Sequence, residues 1–359
     1  MTSKTERLFL DVHVLQTVPP SCVNRDDTGS PKTAVYGGVT RARVSSQSWK
    51  RAMRLLFEEQ LPKNLLGTRT KKIVEMVAEE IRHAGENEKA EELAQRVLST
   101  AGLKITNAQD GTGALFFMSR AQAEALAQLA LEGETPTKAQ ALKALNNAPG
   151  VDVALFGRMV ADNKMLNVDA AAQVAHSLST HKVENEYDYF TAVDDMAPED
   201  NAGAGHIGTV EFNSATLYRY GTVAIHELQH NLLEGTAQAV RAFVDAFVRA
   251  MPTGKQNTFA NRTLPYAVLV CLRKDQPINL AGAFEGAVKA KEEGYAAPSA
   301  QRLVEYTQQV YADFADEPAA TLIAGRGLDA LGEAQPFKRL LDMLEQEVQR
   351  FLDGLEVTS

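Results

Sequence analysis

RARVSSQSWKRAMRLLFEE, residues 41–59, changes its period partway along. Arg41–Val44 predicts a short strand. Ser45 or Ser46 then caps a helix that runs to about Glu59. Trp49, Ala52, Met53, Leu56 and Phe57 recur at helical spacing and form its apolar stripe. Gln47, Lys50, Arg51 and Arg54 follow i, i+3, i+4, i+7 spacing and share the opposite face. Lys50 and Arg51 in the first turns work against the partial positive charge of a helix N-terminus. A sequence that accepts this cost predicts an anion there, and Ser45, Ser46 and Ser48 add hydroxyl donors suited to phosphate. Arg25, Lys32, Arg41 and Arg43 lie just upstream. The competing reading is a solvated basic face with no ligand.

Working outward, Leu8–Leu15 is apolar and β-branched and predicts a strand, followed by a loop from Pro19 to Gly38. From about 60 to 180 the composition shifts to Ala, Glu, Gln, Leu and Lys. Helical runs at 70–84, 88–101, 119–132 and 136–147 are punctuated by Gly85, Gly102, Gly133 and Pro149, which predicts a mostly helical insertion. From Gly208, GTVEFN and ATLYRYGTVAI read as two strands that pair as a hairpin. Thr236 caps an amphipathic helix carrying Val240, Phe243, Val244, Phe247, Val248 and Met251 on one face. Tyr266–Leu272 predicts a further strand, and helices near 280–292, 299–314 and 336–353 close the chain. With the insertion set aside, the order is strand, helix, strand, strand, helix, strand. That is the ferredoxin-like α+β arrangement shared by RNA-recognition-motif domains. Such a fold hosts many functions, so it makes RNA a fair question without answering it.

Length and composition agree with an ordinary folded protein: 359 residues, 45% apolar and 23% charged. Cys22 and Cys271 lie too far apart for a metal or redox spacing. The N-terminus lacks the long apolar stretch of a signal segment, and no run approaches ~18 apolar residues. A soluble, cytoplasmic protein with no membrane partner is expected. The net charge of −9 argues against nucleic acid until it is divided: residues 1–57 sum to +5 and residues 58–359 to −14. Phosphate binding needs a local basic surface, not a basic protein.

Three other patterns carry possible chemistry. His226-Glu227-Leu228-Gln229-His230 matches H-E-x-x-H, in which two histidines hold zinc and the glutamate activates water. The stretch is short, ends at Gly235, and no histidine follows His230 to supply a third ligand, so surface histidines are the stronger reading. Tyr187, Tyr189, Phe190 and Thr191 lead into a long polar loop that should project, where aromatics could stack on bases; ordinary core aromatics are the alternative. The aromatic strand signature of RNA-recognition motifs is absent, so stacking across an open sheet face is not expected. Asp26-Asp27 and Asp194-Asp195 could hold magnesium for phosphodiester cleavage, but turn chemistry, or pairing with Arg25, is the better reading.

Several long segments, in order along nearly the whole chain, resemble the CasC family, the guide-RNA-binding backbone subunit of the type I-E Cascade complex of CRISPR defence. They are HVLQTVPPSCVNRDD at 13–27, YGG at 36–38 with RARVSSQSWKRAMR, VDVALFGRMV at 151–160, AHSLSTHKV at 175–183, YFTAVDD at 189–195, HIGTVEFNSATLYRY at 206–220 and AFEGAVKAK at 283–291. The resemblance implies a ferredoxin-like palm (1–59 and 208–359), helical fingers (60–180) and a β-hairpin thumb (181–207). It implies copies stacked head to tail along a guide RNA (crRNA), with bases left exposed to pair with target DNA. Its partners would be crRNA, target DNA through base pairing, other copies of the chain and other Cascade subunits. No catalytic role, metal or cofactor is implied. Carried over by position, Asn24, Arg25, Arg43, Ser45, Gln47, Lys50, Arg51 and Arg54 fall on the palm motif. Arg158 and Met159 fall on the GRM segment, and Tyr189, Phe190 and Thr191 on the thumb base, where the family's aromatic pair can be Trp-Phe.

Overall fold

Leu10, Val12 and Val14 alternate with Asp11, His13 and Leu15 along the first strand, and all six are buried. A strand buried on both sides must lie inside a sheet with layers on both faces. The computed structural model describes residues 7–107, 111–132, 136–160, 163–193, 196, 203–232 and 234–356. In chain order the elements are β1 (Phe9–Ser21), β2 (Thr33–Tyr36), β3 (Val39–Val44), α1 (Ser46–Gln60), β4 (Gly67–Thr70), α2 (Ile73–His83), α3 (Ala90–Thr100), β5 (Ile105–Asn107), β6 (Gly111–Thr112), β7 (Phe116–Ser119), α4 (Arg120–Leu131), α5 (Lys138–Asn146) and α6 (Val151–Phe156). There follow β8 (Ala172–Val174), β9 (Ser177–Ser179), β10 (Glu186–Val193), β11 (Gly203–Ala224), α7 (Ile225–Leu232), α8 (Thr236–Arg249), α9 (Gln256–Phe259), β12 (Ala267–Arg273), α10 (Ala296–Asp313), β13 (Ala320–Gly325) and α11 (Phe337–Glu356).

Among the described residues the main sheet runs β13-β12-β1-β11-β9-β3-β2, with β8 and β10 also pairing to β11. Every named strand pair is antiparallel. One face packs Leu10, Val12 and Val14 against α1, α8 and α11. Val240, Phe243, Val244 and Phe247 of α8 are almost fully buried there, each contributing about 1.5–3 kcal/mol. The other face is covered by residues 280–288 and α10, which pack on Leu15, Tyr218, Leu269 and Ile323. That sheet face is closed to bases, in line with the missing aromatic signature.

The insertion has its own core, built from α2, α3, α4, α5 and Leu166. All four predicted helical runs form, shorter by a few residues. Within the expected insertion span, however, β8 and β9 pair into the main sheet rather than the helical unit.

Three expectations are corrected. GTVEFN and ATLYRYGTVAI are not the two arms of a hairpin; they lie in one strand, β11. Its first half pairs with β10 and its second with β1, so the polar Asn213-Ser214 marks a change of partner, not a turn. Gly235, not Thr236, is the cap residue of α8, because position 235 has φ +73°, which glycine adopts at least cost. The helix expected near 280–292 is a single 3₁₀ turn, Leu280–Phe284. The chain passes so close to α10 there that a Cβ on Gly282 would lie 2.2 Å from the Tyr306 hydroxyl.

The polar residues of β1 form a buried network beneath α10. Tyr220 Oη donates to Asp11 Oδ1 at 2.7 Å, Ile278 N to Asp11 Oδ2 at 2.8 Å, and His13 Nδ1 lies 2.9 Å from Tyr218 Oη. Burial pushes the Asp11 carboxyl up to about 6, while burial and then the Arg273 charge push His13 down to about 3. Asp11 holds more protons folded than unfolded, so its contribution to stability falls as pH rises from about 4 to about 6. His13 holds fewer, so its contribution falls as pH drops from about 6.5 to about 3. The two oppose each other between them. In urea denaturation, an Asp11→Asn variant should therefore gain stability relative to the wild type as pH is raised from 4 to 6, and lose that trend above it.

Candidate nucleic-acid interface

Helix α1 is fixed from below and from its start. Trp49 Nε1 donates to Ser177 Oγ at 3.0 Å, and the buried guanidinium of Arg219 stacks on the Trp49 ring at 3.7 Å. Ser45 is the cap, its Oγ accepting Ser48 N at 3.3 Å, and Asn24 Oδ1 accepts Ser45 N at 2.9 Å. Asn24 thus ties the 22–31 loop to the helix. Asp26 accepts Thr28 N, Thr28 Oγ1 and Ser30 N at 2.7–3.0 Å, which holds its carboxyl below the usual range. Asp26 is therefore committed to its own turn, the reading the sequence favoured; no ion pair to Arg25 is formed. Asp27 is exposed beside it, and Asp194 and Asp195 lie outside the described residues.

The candidate cations divide into two sets. Arg41 is fully buried and donates to the carbonyls of Tyr36, Ser179, Phe284 and Glu285 at 2.9–3.1 Å. Arg158 is also buried, donating to Leu166 O, Phe117 O and Leu145 O at 2.7–3.2 Å. Neither can meet RNA: converging carbonyls take up the fork of donors that would otherwise grip phosphate, which corrects the expectation for both. Arg54 is largely committed too, its Nε bound to Asp152 Oδ2 at 2.9 Å and its guanidinium over Phe117. Ser46 is buried, and the Ser45 hydroxyl serves the cap, so neither offers its hydroxyl freely.

The remaining set faces outward. Arg25, Gln47 and Arg51 are exposed; Lys32, Arg43, Ser48 and Lys50 are half-buried. None of Arg25, Lys32, Lys50 and Arg51 forms an ion pair among the described residues. Arg43 Nη1 meets His176 Nδ1 at 3.1 Å. Burial and then neighbouring cations lower two groups: Arg69 acts on Lys50, and Arg43, Lys32 and Lys50 act on His176. Like charges crowd here, and the carboxylate that acts on Arg69, Asp152, is already bonded to Arg54, an arrangement suited to an anion. Beside it, the 23–29 loop, α1 and residues 250–254 enclose an open groove of about 710 Å³ whose lining carries both signs, Arg25, Arg51 and Arg262 with Asp26, Asp27 and Glu59.

The hairpin of β10 and the first half of β11 projects its aromatics. Tyr187, Tyr189 and Phe190 are 69%, 64% and 48% exposed, so they are not core residues, and Thr191 is exposed with them. Phe190 lies opposite Gly208, with its ring on that glycine: a Cβ there would meet Phe190 Cζ at 2.5 Å. Met159 is 85% exposed. His226 is half-buried, its Nδ1 within 3.1–3.3 Å of the Leu8 backbone and its ring edge-on to Phe9. His230 is exposed, and among the described residues no group of three potential ligands gathers to hold a metal. No helix among them is long and apolar enough to cross a membrane.

Placing Arg158 as structural makes a prediction. Arg158→Met removes a donor from each of three buried carbonyls, of which Leu145 O keeps Gln122 Nε2, and should cost about 2–5 kcal/mol in urea denaturation. RNA affinity per folded molecule should not change.

Sequence pattern does not single out Arg69 or His176, because each meets the α1 cations only through tertiary packing. A family model described as CT1975-like protein matches residues 10–348. A chain of a solved "CRISPR RNA-guided surveillance complex, pre-nicking" is 34% identical, with a TM-score of 0.83, covering 95% of this chain and 100% of that one. A chain of a second solved "CRISPR RNA-guided surveillance complex" is 31% identical, with a TM-score of 0.63, covering 94% of this chain and 99% of that one. No curated protein sequence matches the chain.

Proposed function

The chain belongs to the CT1975-like family, and from that premise we propose that it is a non-enzymatic, guide-RNA-binding subunit of a CRISPR surveillance complex. The observation that carries this reading is the pair Lys50 and Arg51 on α1, with Arg25 and Lys32 just upstream and no ion pair to any of the four among the described residues, on a chain otherwise acidic. Their hydrogen-bond donors and charge suit phosphates and read no base. The strand order β12-β1-β11-β9, antiparallel throughout and backed by α1 and α8, supports a ferredoxin-like palm. The β10–β11 hairpin supports the role of thumb: its exposed aromatics can wedge beside a base, while the acidic Glu186 and Asp188 would repel phosphate. Copies of the chain would line the RNA and leave the other bases free to pair with target DNA, with further complex subunits at the ends. The finer assignment, a type I-E CasC subunit working in the cytoplasm, rests on the sequence segments at 13–27, 36–54 and 206–220.

The test is to purify the chain from cells that express repeat-derived guides and sequence the co-purifying RNA. Guide RNA is expected, released as salt rises. Recovery of a random transcript pool, or of protein free of RNA at low salt, would overturn the reading. The zinc-hydrolase and ribonuclease alternatives have no observation in their favour: His226 is bonded to the Leu8 backbone, and Asp26 is bonded within its own turn.

A further inference from the structure

We infer that Arg69 and His176 are additional contacts to the RNA backbone, carrying the phosphate track from the main sheet across α1 and onto the helical insertion. The inference rests on the RNA-binding reading and deepens it, by adding two residues and a direction.

Arg69 lies on β4 directly opposite Phe117 of β7. Its guanidinium carbon stands 4.9 Å from the Phe117 ring centroid, and that of Arg54 stands 4.5 Å from the same ring. Phe117 is buried, so the ring is a fixed platform. Asp152 attracts both guanidiniums, but its two oxygens are already bonded to Arg54 Nε and Gly67 N. Arg69 has neither a hydrogen bond nor an ion pair among the described residues, and it is exposed. A guanidinium resting near a fixed ring, with its donors unused, loses less freedom on gripping a phosphate than a free one would.

His176 stands just before β9, against Arg43 of β3. Arg43 cannot accept a hydrogen bond, so in their 3.1 Å contact His176 Nδ1 is the acceptor and the ring proton sits on Nε2. That N–H is a second unused donor on an exposed side chain. Helix α1 joins the two groups: Arg54, one turn beyond Lys50, shares the Phe117 ring with Arg69, while Arg43, on the strand that leads into α1, meets His176 and donates its backbone N–H to Lys32 O at 2.9 Å. The charges of Arg69 on Lys50, and of Lys50 on His176, agree with that placement. The row Lys32, Arg43, His176, Lys50, Arg69 therefore crosses three parts of the fold: the 22–44 edge of the sheet, α1 and the insertion. A small anion would satisfy one or two of these groups. A chain that repeats its charge at every nucleotide satisfies the row.

The experiment measures binding of a single-stranded RNA to the full chain over a salt series, for the wild type and for Arg69→Ala, Arg69→Lys, His176→Ala and His176→Gln. Lys338→Ala, at an exposed position near the start of α11, is the control. Arg69→Ala should lower affinity about tenfold and reduce the salt slope by about 0.7, the value of one phosphate on a single strand. Arg69→Lys should keep the slope and recover only part of the affinity, a split that loss of packing alone would not give. His176→Ala should weaken binding severalfold, with His176→Gln, which keeps a donor, restoring it. Wild-type binding by Arg69→Ala and His176→Ala, alongside weakened binding by a Lys50→Ala/Arg51→Ala variant, overturns this inference and leaves the RNA-binding reading intact. Wild-type binding by all of them overturns both. If Arg69→Ala and His176→Ala instead bind RNA normally but lose self-association in its absence, the row serves the acidic hairpin of a second copy, and the inference again fails.

Discussion

Alanine at both Lys50 and Arg51 is expected to lower affinity for single-stranded RNA about a hundredfold near physiological salt. Each side chain is a charged donor with no carboxylate partner among the described residues, so its removal orphans nothing in the protein. A hydrogen bond to a charged group contributes about 1.5–3 kcal/mol, and two at the low end give two orders of magnitude. The salt slope should fall by about 1.4, two phosphates' worth. Thermal stability should hold, because the buried stripe of Trp49, Ala52, Met53 and Phe57 is untouched. Adding Arg54 to the substitution would confuse the outcome, since Arg54 is the partner of a buried carboxylate. Filter binding over a salt series, beside a melting curve, separates the two effects. Unchanged affinity in the double variant would mean that the exposed face of α1 is only a solvated surface.

The second large effect falls on stability. Asp152, on α6, is one bond between the two cores: its side chain is 3% exposed, Oδ2 accepts from Arg54 on α1, and Oδ1 accepts from Gly67 N at 2.7 Å at the start of the insertion. Asp152→Ala leaves Arg54 without its counter-charge and Gly67 N without an acceptor, and removing one partner of such a buried pair costs about 3–5 kcal/mol. Asp152→Asn keeps an acceptor for Gly67 N and should lose less. The insertion has a separate core, so the loss should appear in calorimetry as a new lower-temperature transition for the insertion, with that of the main sheet retained. A single unsplit transition shifted by less than about 1 kcal/mol would show that the pair does not hold the cores together.

The element order was legible because period and punctuation are local properties. The apolar stripe of α1 and the faces of α8 are written at 3.6-residue spacing, and both helices form where that spacing runs. The β11 error shows the limit of that logic. Asn213-Ser214 has turn composition, and only the choice between β10 and β1 as partners decides whether the chain reverses or continues. The 280–292 error has a similar cause, since close approach to α10 is invisible until α10 is in place.

By itself, the sequence determined that a basic strand–helix segment opens an otherwise acidic chain, and which of its residues lie on the helix's polar face. The tertiary structure alone decided which arginines stay available. Arg41, Arg54 and Arg158 carry the same guanidinium as Arg25, Arg51 and Arg69, but carbonyls or a carboxylate from other segments enclose the first three; Arg43 lies between, with Nε on Thr33 O and Nη1 on His176. A guanidinium's donors go to whichever acceptors surround it. Most of those acceptors, such as Ser179, Phe284, Asp152 and Phe117, come from residues tens to hundreds of positions away, so the division between structural and ligand-facing arginines appears only when the chain has folded.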